Sequence, residues 1–266
     1  SFPFGAGNSP SSASTTSALP GDLRSRMMEQ VQRDIDIVVT PTRPVRVVEA
    51  ESDPIDIVSG EKVTGILFVS ADGTVTAEGD PDDPLNVEGV NARLAEAADE
   101  GIHGVLVVPI GADDIHTGPT GLVLMPGNIL LSKGNLVFES SASGRQLTFV
   151  REVDPTILVN DATSPVVVVT ENNRIIGIET AGGEYAVYGD AAAGEFVFED
   201  VTFLDAAVSA IGLTAASGKA LDVRIKDADL SGDQGVSIDL NDAASAIVEI
   251  VGSAVSSLGG PALLLA

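Results

Sequence analysis

The C-terminal part of this sequence repeats itself, and that self-similarity limits the possible folds more than any other feature. Segments 167–174, 196–203, 223–230 and 248–255 can be placed under one another, with starts 29, 27 and 25 residues apart. Their first and third positions are apolar throughout: Val167 and Val169, Phe196 and Phe198, Val223 and Ile225, Val248 and Ile250. A second short strand follows in each unit. Ile211-Gly212-Leu213, Ile238-Asp239-Leu240 and Leu263-Leu264-Leu265 match, with Ala186-Val187-Tyr188 as the earlier counterpart, which makes Tyr188 a candidate inward residue. One strand-turn-strand unit of this length cannot bury its own apolar face. Coiled units can, because each turn then lies about 4.8 Å from the next, the spacing of hydrogen-bonded strands. Phe198 is expected over Ile225 over Ile250, and Phe203 over Leu230 over Val255. Turn residues stack outside.

Composition agrees with a narrow aliphatic interior. Hydrophobic residues make up 44% of the 266 positions, aromatics only 4%, and tryptophan is absent. The formal net charge of −25 argues against nucleic acid as a partner, since phosphates need a basic surface, and against an anionic bilayer surface. Cysteine is absent and only two histidines occur, which removes disulfides, thiolate chemistry and most zinc and general-base schemes. No apolar run approaches the roughly 20 residues of a membrane-spanning helix, so no direct membrane insertion is expected. An acidic, cysteine-free chain beginning at Ser1 without a basic leader reads as an extracellular or cell-surface protein, processed or part of something larger.

Three regions are expected. Residues 1–21 form a Ser/Thr/Pro/Gly-rich tail of linker composition. Residues 22–85 hold an N-terminal helix and short strands: Asp22 is a candidate N-cap, with Leu23, Met27, Met28 and Val31 on one face, followed by strands at 35–39, 45–48, 55–58 and 63–69. Residues 86–266 form the coiled region. Its first element is a helix preceded by Asp83-Pro84, with Val87, Val90, Leu94 and Ala97 on one face and Gly101 at its end. A buried strand follows at 105–109.

The repeats resemble right-handed parallel β-helices of the pectin-lyase-like class. More narrowly, they are similar to β-helical regions of large bacterial surface proteins, including those that accompany inverse-autotransporter barrels. The stretches that carry this likeness are 72–74, 82–85, 105–109, 121–127, 165–177 and 185–189. The resemblance implies an all-β fold, a right-handed parallel β-helix (solenoid) with a short N-terminal extension and a capping helix. It implies a structural role, as a stalk, adhesin or self-assembling filament subunit, and not a catalyst. The alternatives are a carbohydrate-binding or carbohydrate-cleaving β-helix, with surface glycans as partners, and a phage-type fibre segment. Exposed aromatics would favour the carbohydrate reading.

The final coil stops at Ala266 inside an apolar strand with no polar cap. Solenoid ends need covering. Either a longer chain continues past this coil, or another copy covers it by end-to-end stacking or strand addition, giving a homopolymer, with Phe2, Phe4, Ile247, Ile250, Val255, Leu263, Leu264 and Leu265 as contact residues. No catalytic residue is assigned. Arg224, Lys226 and Asp227 with Glu199 and Asp200 are the nearest approach to an acid–base cluster, but they read as solvated cross-strand pairs, with Arg224 between Val197 and Glu249 and Lys226 between Glu199 and Val251. Asp200 and Asp227 share a turn position and are the candidates for a Ca²⁺ ion, though six or more oxygen ligands would be needed; no cofactor is otherwise expected. Asn172-Asn173 reads as a stacked turn pair. His103 and His116 lack the partners of a triad or zinc site.

Overall fold

The computed structural model describes residues 54–56, 60, 62–140, 144–161, 163–241 and 243–266, all within the unit Val47–Ala266. The tail with Phe2 and Phe4, the helix after Asp22 and the strands before residue 54 lie outside the described residues.

Strands β1 (Pro54–Asp56) and β2 (Gly65–Thr74) precede helix α1 (Val87–Asp99). Six coils follow. The first is β3 (Val105–Pro109), β4 (Ile115–His116) and β5 (Leu122–Val123). The second is β6 (Ile129–Leu131), then a hairpin of β7 (Gly134–Ser140) and β8 (Gln146–Arg151), then β9 (Ile157–Asn160) and β10 (Val167–Val168). The third is β11 (Arg174–Ile176), β12 (Glu179–Gly182) and β13 (Tyr185–Ala192). The fourth pairs β14 (Gly194–Glu199) with the long β15 (Thr202–Ala215), and the fifth β16 (Ala220–Lys226) with β17 (Asp229–Asp239). The sixth is β18 (Ser245–Val251), β19 (Ala254–Ser257) and β20 (Leu263–Leu265). The chain is thus a parallel β-solenoid of about six turns with one helix among the described residues.

Three parallel walls result. Wall one runs β2-β3-β6-β11-β14-β16-β18. Its inward column is Leu67, Val107, Leu130, Ile175, Phe198, Ile225 and Ile250, each paired with the next. Wall two stacks Ile115, Leu158, Thr180, Phe203, Leu230 and Val255. Wall three stacks Leu122, Val167, Val187, Ile211, Val236 and Leu263. Strands β15 and β17 serve both of these walls, bending where their pairing register shifts, between Phe203 and Ser209 in β15. Both columns expected from the repeats, Phe198/Ile225/Ile250 and Phe203/Leu230/Val255, are therefore present.

Two registers differ from the sequence reading. Val167 lies on wall three, and the neighbour of Val197 on wall one is Arg174, so the first repeat segment belongs six residues later. On wall three Ile211 pairs with Val236, not Ile238, and Ile238 pairs with Leu265. A shift of two residues keeps every side chain on its face, so the apolar pattern is blind to it.

Corners are held by polar side chains and left-handed backbone. Gly177, Asp200, Asp227 and Gly252 occupy one corner in successive coils, with φ of 58°, 53°, 51° and 66°. Glycine and aspartate tolerate that region better than other residues do. At another corner Asn128 and Asn173, each 1% exposed, follow one another inside the coil. The Asn128 carboxamide oxygen accepts from the Val105 N–H, and the Asn173 amide donates to the carbonyls of Met125 (2.8 Å) and Asn128 (3.3 Å). The stacked-turn reading holds for Asn173, with Asn128 as its partner. Asn172 instead faces Glu195, accepting its N–H at 2.9 Å.

Helix α1 buries Val87, Val90 and Leu94 against the main core. Its N-cap is Asn86, whose side chain accepts from the Gly89 N–H. Its end at Gly101 is as expected: φ is 74°, and the Gly101 and Ile102 N–H groups return to Ala98 and Ala97. Asn91 completes the edge of wall three. Its side chain donates to the Gly121 carbonyl and accepts from the Val123 N–H, both at 2.8 Å. An edge strand otherwise leaves such groups open.

The sequence analysis did not anticipate a second core. Strands β1, β7 and β8 form an antiparallel sheet. Its Leu136, Phe138 and Phe149 pack on the outer face of wall one, against Leu106, Val108, Ile129, Leu131 and Ile176. Strands β3 and β6 are therefore buried on both faces, as their unbroken apolar runs require.

Candidate functional sites on the outer surface

Beyond the hairpin, the outer face of wall one carries charge and opens to solvent from β16 onward. The outward column Arg174, Val197, Arg224, Glu249 runs beside Ile176, Glu199, Lys226, Val251. The expected neighbours of Arg224 and Lys226 are thus the observed ones. Glu199 lies between two cations: Arg174 approaches one oxygen at 3.2 Å and Lys226 the other at 2.8 Å. Burial alone would raise its carboxyl pKa. Hydrogen bonds and charge from Lys226 and Arg174 outweigh that and hold it below the usual range. Arg224 reaches Glu195 at 2.9 Å and Asp222 at 3.0 Å, and these two carboxylates raise its pKa, as Glu199 raises that of Lys226. Glu195, Glu199 and Asp222 each face a cation at hydrogen-bond distance. Cross-strand pairing of charge accounts for the arrangement.

Asp200 and Asp227 do share a corner, and both are exposed. The Asp227 side chain leans toward Gly252, where an added Cβ would meet its Oδ1. Among the described residues, no group of three or more His, Asp or Glu is placed to hold a metal ion. His103 is exposed, with its carbonyl accepting from the Thr64 hydroxyl at 2.7 Å, and His116 is exposed on β4. No helix among the described residues is long and apolar enough to cross a membrane.

The sixth coil is the most exposed part of the stack. Ile247 and Val251 point outward from wall one and are 59% and 51% exposed. Ile250 and Val255 continue the inward columns and stay partly buried. Leu263 and Leu265 stack on Val236 and Ile238, Leu264 pairs with Ser237, and all three remain exposed.

The outer face of wall three holds a feature that the sequence reading put on the wrong side. Its outward column is Val123, Val168, Tyr188, Gly212, Ser237 and Leu264. Tyr188 faces outward, because Val187 and not Ala186 or Tyr188 pairs with Ile211. The misalignment was one residue, and one residue flips the face. The Tyr185 ring lies beside it, centroids 4.9 Å apart and planes tilted 36°. Gly212 makes this possible, since a Cβ there would stand 2.6 Å from the Tyr185 ring. The two rings, with Glu184, Val168, Pro165, Pro119 and Thr120, line an open groove of about 390 Å³. Both phenol pKa values are raised, by burial first and then by negative charge from Glu184 and, for Tyr188, from Asp190. Alternation about inward Val187 was the sequence signal that could have placed Tyr188 here.

Comparison of the chain with protein-family models, with curated proteins and with solved structures returns no match.

Proposed function

We propose that this chain is a structural β-solenoid, a stalk, adhesin or filament segment of an extracellular or cell-surface protein, of the right-handed kind found in bacterial surface proteins. The observation that carries this reading is the continuity of the stack: the inward columns through Phe198, Phe203 and Ile211 run from coil to coil without a break. On the sixth coil the outward residues Ile247 and Val251 are half exposed. Exposed apolar side chains on a strand ladder favour strand addition. Head-to-tail pairing between copies is heterologous and extends into filaments. The role is mechanical: a continuous hydrogen-bonded ladder resists bending, and the loops present a surface.

Sedimentation velocity over a wide concentration range, with negative-stain microscopy of the same samples, tests this. End-to-end association that grows with concentration is expected, and Leu263→Lys with Leu265→Lys should abolish it. A monodisperse monomer at every concentration overturns the self-assembly reading.

A further inference from the structure

The chain has two tyrosines and no tryptophan, and both tyrosines stand in the wall-three groove. The phenylalanines Phe196, Phe198 and Phe203 are fully buried, and Phe138 is 5% exposed. The scarce polar aromatics are thus gathered at one outward place. Tyr185 is seated over Gly212, and Tyr188 stands beside it. Ring faces so placed attract a cation through the aromatic quadrupole.

The charges nearby have the matching sign. Glu184 lines the groove, and no Lys or Arg does. Glu184 acts on both phenols and Asp190 on that of Tyr188. The net charge of −25 adds a long-range field of the same sign. An anionic ligand is repelled here. A planar guanidinium can lie on a tyrosine face while the Glu184 carboxylate accepts two of its N–H groups. Pro119, Pro165 and Val168 supply an apolar floor for the methylene stem of such a side chain.

We propose that this groove is a docking site for an arginine or lysine side chain presented by a basic peptide segment of a partner protein. The site is separate from the sixth coil, so it stands or falls independently of self-assembly.

Tyrosine fluorescence reports on the groove directly, because both emitters are in it. The full chain is titrated with a capped pentapeptide carrying two arginines between glycines, with its neutral citrulline twin, and with a neutral oligosaccharide. A saturable change with the arginine peptide alone is expected. Glu184→Gln should weaken it about fivefold, while Asp229→Asn, on wall two, leaves it unchanged. Circular dichroism confirms that both variants fold. Equal binding of the citrulline peptide, an unaltered Glu184→Gln titration, equal weakening by Asp229→Asn, a response to the saccharide alone, or no response at all overturns the proposal.

Discussion

Thr180 offers a sharp test of the stacking logic. It sits in the wall-two column between Leu158 and Phe203, where every other member is Ile, Leu, Phe or Val. Its exposure is 0%, and its hydroxyl has no hydrogen-bond partner among the described residues. Burying a hydroxyl without a partner costs about 1–3 kcal/mol by protein mutational measures. Valine keeps the β-branched shape and rotamer restriction while replacing that hydroxyl with a methyl group. Thr180→Val should therefore stabilise the fold by about 1–2 kcal/mol, or about 3–6 °C in Tm for a unit of this size. Thr180→Ser, which keeps the hydroxyl and loses the methyl, should cost about 1 kcal/mol. Urea unfolding followed by circular dichroism measures both, read as midpoint shifts at constant slope. A Thr180→Val protein no more stable than the parent would refute the reasoning, since it would mean that the hydroxyl is satisfied inside the column.

Three further outcomes follow from the same geometry. Ile225→Ala opens a hole between Phe198 and Ile250 and should cost about 2–5 kcal/mol in urea unfolding. At the corner occupied by Asp227, φ is 51°; Asp227→Gly should be neutral or stabilising by up to about 1 kcal/mol, whereas Asp227→Val should destabilise by about 1–2 kcal/mol, read as shifts in thermal midpoint. The Glu199 carboxyl titrates below its unfolded value, so its contribution is present above the unfolded pKa of about 4.3 and is lost as pH falls through the lower folded value. Lys226→Met should shrink that acid-side loss, measured as the difference in urea midpoint between neutral and acidic buffer.

How far the sequence could be read depended on which symmetry of the strand a feature obeyed. The columns through Phe198 and Phe203 were legible because bulky residues recur at one coil's spacing in adjacent coils. The offset of Val236 against Ile211 was not, because a two-residue slip preserves the inward face. Tyr188 shows the opposite failure: a one-residue slip at β13 reversed its side. The hairpin escaped because the alternating pattern of β7 reads like any other rung. Nothing in a period of two tells a parallel neighbour from an antiparallel one. Its partner signal was the unbroken apolar run at 105–108, which needs cover on both faces. The charge pairs of Arg224 and Lys226 were legible once the wall-one register was right, whereas the salt bridge from Arg174 to Glu199 was hidden by the misplaced first segment.

The corner shared by Asp200 and Asp227 makes the molecule's length a quantity that can change by whole units. Excising residues 200–226 would join Glu199 directly to Asp227, which already has the backbone conformation that Asp200 had, with φ of 51° against 53°. Phe198 would then meet Ile250 and Phe203's place would pass to Leu230, so no column would be broken. Duplicating the same stretch would do the reverse. Each edit moves whatever lies beyond it by one strand spacing, about 4.8 Å, so reach can be tuned by copying a module; excision also brings Ser237 to the place of Gly212, where the Tyr185 ring must give way to its Cβ.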